Sequence, residues 1–338
     1  MTLQQHLKLF TDGGELASEH ASDFFDALIN ETDERLLADI FEEWHTKGTT
    51  ENEVYELARI MRERCARIQP THDRFVDVVG TGGSKAKTFN VSTAAAFVIA
   101  GAGLPVAKHG NKAATSNSGS ADVLAALGVE PAVSPAIAEQ CLSEIGICFM
   151  FAPNFHRLSP TLAKVRRGLG FPTIFNNLGP LCNPAGAPFQ LIGVWDKDLT
   201  EKTACVLARL GTTRSWVVHG GDGLDEFTLN DITYVAEASS GRVRTFELFP
   251  TDFGAEPAAI EHLHVSSAEE SAALIRSILE NRSNDRAAID LVLINSAAPL
   301  YLSGYAESLK TAYQLARESL LNGAAFRKLN KLAKATNA

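Results

Sequence analysis

Three short stretches of the 338-residue chain carry residue types that suit phosphate and metal chemistry. The first is Gly80-Thr81-Gly82-Gly83-Ser84, followed closely by Thr88-Phe89-Asn90-Val91-Ser92-Thr93. Glycines let a backbone approach a ligand, and successive N–H groups form an anion-binding nest. A helix opening beside Ser92 and Thr93 would add hydroxyl donors and the positive end of its dipole. Together these features suit a phosphate or pyrophosphate. Taken alone, the glycine run is equally consistent with an ordinary turn before a capped helix.

The second stretch is Lys108-His109-Gly110-Asn111, after a short apolar run. Lys108 is a point charge suited to phosphate oxygens, and His109 and Asn111 can offer polar atoms to the same pocket. Ser116, Ser118, Gly119, Ser120, Ala121 and Asp122 then lead into a second donor-rich helix start. The third stretch is Gly223-Leu224-Asp225-Glu226. Magnesium favours a few carboxylates, water and substrate phosphates, so this pair is a candidate ligand set; a solvated acidic turn would read the same way. A looser group comprises Pro153 to His156, Arg166-Arg167 and Asn176 to Pro180. An arginine fork matches a carboxylate, although these residues can equally be a solvated helix face and a satisfied histidine.

The elements around these stretches follow from periodicity. The first 70 or so residues read as helices. One stripe runs Leu16, Phe24, Phe25, Leu28 and Ile29, and a second Leu36, Leu37, Ile40, Phe41 and Trp44. Thr50 with Glu53 forms a capping-box pattern that opens a third helix. From Phe75 to Val79 the pattern changes to a β-branched run ending in glycine. Further strands are expected at 105–107, 146–151, 215–219 and 242–248. Helices are expected at 92–100, 121–127, 135–143, 199–210, 268–279 and 307–321, with Ser134-Pro135 as an N-cap and first-turn proline. Alternation of this kind implies an α/β domain with a largely parallel sheet, and ligands of such sheets bind beyond the carboxyl ends of the strands.

Composition narrows the function. A net charge of -9 argues against a broad nucleic-acid-backbone binder. The five cysteines are odd in number and lack a C-x-x-C pair, which suits free thiols in a reducing compartment. No apolar run reaches a membrane span and no signal-peptide pattern is read, so a cytoplasmic protein is expected.

The blocks GTGG, TFNVST, KHGN, SGSAD, VRRGLG, NNLGPLCNPAG, QLIGV and VVHGGDGLDE resemble, in order and spacing, those of anthranilate phosphoribosyltransferases. The resemblance implies a small helical domain, residues 1–72 with about 165–190, beside a large α/β domain, residues 73–164 and 191–338. It implies transfer of a phosphoribosyl group from 5-phosphoribosyl 1-pyrophosphate (PRPP) to anthranilate in tryptophan biosynthesis, with Mg2+, in a homodimer joined through the helical domain. Carried over by motif, Gly80, Thr81, Gly82, Gly83, Thr88, Asn90, Ser92, Thr93, Lys108 and Ser120 would hold the donor. Ser92, Asp225 and Glu226 would serve the metal, and His109, Asn111, His156, Arg166 and Pro180 the anthranilate, with Arg166 on its carboxylate. Two departures stand out. Ser84 replaces the family's Asp after GTGG, and Arg157-Leu158-Ser159 replaces Pro-Ala-Met after His156. The first bears on one metal contact, and the second leaves room for a same-fold transferase or phosphorylase with another aromatic amine or a nucleobase as acceptor. A non-catalytic nucleic-acid-binding relative is a third reading, opposed by the net charge and the intact Lys108 and Asp225-Glu226.

Overall fold

The computed structural model describes residues 1–82, 88–112 and 119–338. Gly83, Ser84, Ser116 and Ser118 lie outside the described residues. Four helices lead the chain: α1 (Leu3–Thr11), α2 (Ser18–Asn30), α3 (Glu34–Lys47) and α4 (Glu51–Arg64). Then β1 (Val76–Gly80), α5 (Val91–Ala102), β2 (Val106–Gly110), α6 (Ser120–Ala126), α7 (Pro135–Ile145) and β3 (Ile147–Phe151) alternate. Three short helices follow: α8 (Ala152–His156), α9 (Pro160–Gly168) and α10 (Ile174–Leu181). The chain returns to the sheet through β4 (Phe189–Gly193), α11 (Asp198–Arg209), β5 (Arg214–Gly220), β6 (Thr233–Ser239) and β7 (Arg242–Leu248). It closes with α12 (Pro250–Phe253), α13 (Ala268–Leu279), α14 (Arg286–Leu302), α15 (Leu309–Leu321) and α16 (Ala324–Thr336).

The sheet has seven strands in the order β3-β2-β1-β4-β5-β6-β7. The first five pair in parallel, and β6 and β7 are antiparallel additions at one edge. This is the α/β class the alternating pattern implies. The chain winds outward from β1 through β2 to β3, then restarts at β4 on the other side. The carboxyl ends of β1 and β4 are therefore a topological switch point, where open α/β sheets bind ligands. One face of the sheet packs under α5, α14, α15 and α16. On the other face one continuous core joins the N-terminal helices, residues of α9 and α10, and α11.

The capping box at α4 forms as its sequence predicts, with Thr50 accepting from Glu53 N and the Glu53 side chain accepting from Thr50 N. Glu53 also does more than cap. It is fully buried and accepts from Leu16 N, Trp44 Nε1 and Lys47 Nζ, so one carboxylate ties α4 to α3 and to the α1–α2 linker. Ser134 and Pro135 open α7 as expected. Two strands, β4 and β6, the helices α14 and α16, and the shorter α8, α9, α10 and α12 are absent from the sequence-based expectation. β4 carries the polar Gln190 in a five-residue run, and β6 is rich in alanine, so neither shows a strong β pattern. α14 is buried on nearly every side, so its apolar residues show no helical stripe. Among the described residues no helix is long and apolar enough to cross a membrane, and all five cysteines are free thiols.

Candidate active site

The switch point is built by two glycines. A Cβ on Gly193, at the end of β4, would lie 1.7 Å from the backbone oxygen of Asp225. One on Gly80, at the end of β1, would lie 3.1 Å from Asp225 Oδ2. Glycine at these strand ends lets the acidic loop lie directly on the sheet edge. The loop is held from within and from below. Gly220 N donates to Leu224 O at 2.8 Å, and Gly223 supplies a turn at φ 88°. Asn295 of α14 donates to Phe227 O and accepts from Phe227 N, both at 2.9 Å. Asn295 carries no local motif, and only the fold reveals its part in placing the acidic pair.

The donor-rich stretches converge on this loop. Lys108, buried in β2, donates to Val78 O at 2.5 Å and to Ser92 Oγ at 3.2 Å. Ser92 N, in the first turn of α5, donates to Glu226 Oε1 at 3.2 Å. Lysine, helix start and carboxylate thus form one chain across three elements. Burial lowers the Lys108 ammonium from its usual range, and Asp77 and Glu226 oppose that shift. Burial and the adjacent Asp225 push Glu226 up to about 8, against the pull of Lys108 and the Ser92 amide. Two adjacent carboxylates whose charges oppose each other, next to a hydroxyl, fit a hard oxygen-seeking cation such as magnesium. Among the described residues no group of three or more His, Cys, Asp or Glu is gathered for a metal, and magnesium at such a pair keeps waters and substrate oxygens in its shell.

The remaining donor-side residues have varied surroundings. Thr81 donates through N and Oγ1 to Gly193 O, at 2.9 and 3.2 Å, which pins the start of the glycine loop to β4. The Thr88 hydroxyl donates to Phe89 O at 3.1 Å. Asn90 is the N-cap residue of α5; its Oδ1 accepts from Ser271 Oγ and its N–H donates back to the same hydroxyl, both at 3.0 Å. Thr93 is wholly enclosed and its hydroxyl has no hydrogen-bond partner, so it faces packed protein rather than an open cradle. Ser120 Oγ reaches Asn111 O at 3.4 Å, and the Asn111 side chain accepts from Lys112 N at 2.8 Å.

Of the acceptor-side residues, His109, His156, Arg166 and Pro180 gather at α10. His109 Nδ1 donates to Gly179 O at 3.2 Å, which leaves Nε2 to meet His156 Nε2 at 3.1 Å. Burial lowers both imidazoles, His109 well below its usual value and His156 to about 4, so both are neutral at pH 7. Arg166 donates through Nε to Thr173 Oγ1 at 3.3 Å and stacks its guanidinium 4.6 Å from the Phe175 ring centre. No carboxylate partners it among the described residues, and burial lowers it to about 10. Phe175 and Gly179 are one helical turn apart, so α10 spaces the arginine from the histidine pair by about 6 Å along its axis. The unexpected Arg157-Leu158-Ser159 stretch has a structural use: Arg157 takes a left-handed turn at φ 45°, and Ser159 caps α9 ahead of Pro160.

Sequence reading missed the polar layer below these residues. Asp77 is fully buried and its Oδ1 accepts from His109 N at 3.1 Å. Burial raises its carboxyl to about 6 against the opposing charge of Lys108. Asn183 Nδ2 donates to Ala107 O at 2.9 Å, and Gln190 Nε2 to Pro180 O at 3.1 Å. The sequence signals that could have pointed here are an Asp inside a β-branched run and the positions of Asn183 and Gln190 in the NNLGPLCNPAG and QLIGV blocks.

Comparison with known proteins agrees with this arrangement. Residues 72–326 match the family described as "Glycosyl transferase family, a/b domain". An anthranilate phosphoribosyltransferase of Desulfatibacillum aliphaticivorans is 43% identical over 331 residues, covering 98% of this chain and 97% of that one. The crystal structure of the Thermus thermophilus enzyme of that name superposes with a TM-score of 0.90 at 36% identity, covering 98% and 99% of the two chains. The Saccharomyces cerevisiae enzyme in complex with PRPP and Mg gives 0.89 at 27% identity, covering 99% and 98%. The same yeast enzyme in complex with 4-fluoroanthranilate gives 0.88 at 25%, with the same coverage. With near-complete coverage on both sides, the chain belongs to the anthranilate phosphoribosyltransferase family.

Proposed function

We propose that this enzyme transfers the phosphoribosyl group of PRPP to the amine of anthranilate, giving N-(5-phosphoribosyl)anthranilate and pyrophosphate in tryptophan biosynthesis. The observation that carries this reading is the Lys108–Ser92–Glu226 chain at the switch point, with Asp225 packed on Gly80 and Gly193. The donor's pyrophosphate would be received by the glycine loop, Gly80 to Gly83, and the start of α5 at Asn90 and Ser92, with Thr88, Lys108 and Ser120 around it and Thr93 packed behind that turn. Ser92, Asp225 and Glu226 would hold Mg2+ together with donor oxygens. Bound there, the ion supplies charge neutralisation to the leaving pyrophosphate. His109, Asn111, His156, Arg166 and Pro180 receive anthranilate, with the Arg166 fork on its carboxylate.

The amine lone pair attacks the anomeric carbon as the carbon–oxygen bond to pyrophosphate breaks, and the electron pair leaves with pyrophosphate. The amine proton departs after attack, so no enzyme nucleophile is needed. The Lys108 ammonium, at the Ser92 hydroxyl, would stabilise the negative charge that accumulates on the leaving oxygens. The neutral histidine pair leaves no competing charge beside the amine.

We assign residues 1–72 and about 165–190 to a helical domain through which two copies pair in the cytoplasm. Leu162, Val165, Ile174, Phe175 and Leu178 share one core with the N-terminal helices, which supports this grouping. The test is a fluorescence assay of anthranilate loss with PRPP and magnesium, run beside other aromatic amines and nucleobases. Turnover of anthranilate above the panel is expected. Turnover of only another acceptor, or none with salt-dependent nucleic-acid binding, would overturn the reading.

A further inference from the structure

The end of α10 is held in an unusual way. The last carbonyls of a helix have no partner within it. Here three consecutive ones each accept from a side chain of a different part of the fold, Gly179 O in addition to its bond from Cys182 N at 3.2 Å. Gly179 O accepts from His109 of β2 at 3.2 Å, Pro180 O from Gln190 of β4 at 3.1 Å, and Leu181 O from Arg62 Nε of α4 at 2.5 Å. Two of these side chains lie outside the acceptor residues already named.

Their surroundings mark them as specific to this task. Gln190 is fully buried, and its register partner on β1 is Asp77, the residue that accepts from His109 N. Gln190 Oε1 has no hydrogen-bond partner, and its amide nitrogen donates to Pro180 O beside the Asp77 carboxyl, which it also supports. Arg62 forms no ion pair among the described residues. Burial lowers its guanidinium, so its charge is spent on the negative end of α10 rather than on a carboxylate. Pro180 sits inside the helix without an N–H to hold the turn, which makes outside anchorage the more necessary.

We propose that Arg62 and Gln190 are positioning residues for the acceptor: with His109 they clamp the end of α10 at three points and so fix the wall that anthranilate meets. They act through α10 and touch neither donor nor metal ligands. The inference rests on anthranilate being the acceptor.

The test measures KM for anthranilate and for PRPP in Gln190→Leu, Arg62→Met and the conservative Arg62→Lys, after thermal melts establish folding. Wild-type turnover of anthranilate is measured first; its absence would sink the proposed function, not the clamp. Each neutral variant should raise KM for anthranilate about tenfold, the loss of one hydrogen bond to a helix-end carbonyl. KM for PRPP should stay within about twofold, and Arg62→Lys should recover much of the loss. A general loss of fold would move both constants together and would not be rescued by lysine. Folded variants with an unchanged anthranilate KM, or with both KM values shifted equally, would overturn the clamp. If Gln190→Leu does not fold, the two Arg62 variants decide between these outcomes, because Arg62 anchors the same helix end from α4 and leaves the sheet untouched.

Discussion

Gly193→Ala isolates the step by which the fold delivers its acidic pair. The added Cβ would stand 1.7 Å from the Asp225 carbonyl oxygen, a backbone atom that cannot swing aside. The loop must retreat by about 1.5 Å before van der Waals contact is restored. A misplacement of about 1 Å at catalytic groups costs roughly a hundredfold. We therefore expect turnover to fall about a hundredfold and the magnesium requirement to rise, while Gly193 N–H and C=O keep their strand partners. Gly80→Ala is the control. Its Cβ would lie 3.1 Å from Asp225 Oδ2, the tip of a side chain that can yield by a few tenths of an ångström. Its effect should be smaller than that of Gly193→Ala, since the backbone of the loop does not move, although Gly80 itself borders the donor site. The assay is anthranilate fluorescence loss at fixed PRPP across a magnesium titration, with a thermal melt of each variant. Superimposable magnesium curves for Gly193→Ala and wild type would refute the reasoning, and so would equal losses in the two variants.

Three further outcomes are expected. Arg166→Ala should raise KM for anthranilate by roughly ten- to a hundredfold, the worth of a charge-assisted bond, and change that for PRPP far less; equal changes would count against a carboxylate grip. Glu53→Gln should destabilise the protein by about 3–5 kcal/mol in urea unfolding, because it leaves the buried Lys47 ammonium unpaired; a loss under about 1 kcal/mol would show that the hub is dispensable. His156 has a folded pKa lowered by burial from 6.5 to about 4. The unfolded chain therefore binds its proton first, and the stability of neutral His156 is present above pH 6.5 and lost as pH falls towards 4. Relative to His156→Asn, which cannot titrate, wild type should lose about 3 kcal/mol across that window; a pH-independent difference between the two would contradict the burial of a neutral imidazole.

The chemistry of the site was legible in the chain because it sits in contiguous blocks. Gly80 to Gly82 and Lys108 to Asn111 run across the ends of β1 and β2, Asp225-Glu226 follows β5, and each has a residue type whose reactivity needs no context to state. The helix caps at Thr50 and Ser134 were legible for a similar reason, since capping is local. What the sequence determined by itself was therefore the set of groups, the alternating pattern and the family. Tertiary structure decided which groups meet. Lys108, Ser92 and Glu226 come from three elements and lie 16 and 134 residues apart along the chain in successive pairs. Asn295, Asp77 and Arg62 lie in none of the quoted blocks, and Gln190 lies in QLIGV without a stated role, because their task is to satisfy a backbone group elsewhere, and a hydrogen bond across 119 residues leaves no trace in local pattern. The same holds for Gly193, whose missing Cβ matters only because Asp225 is folded onto it. Periodicity failed at β4 and α14 since full burial removes the contrast between faces on which it depends.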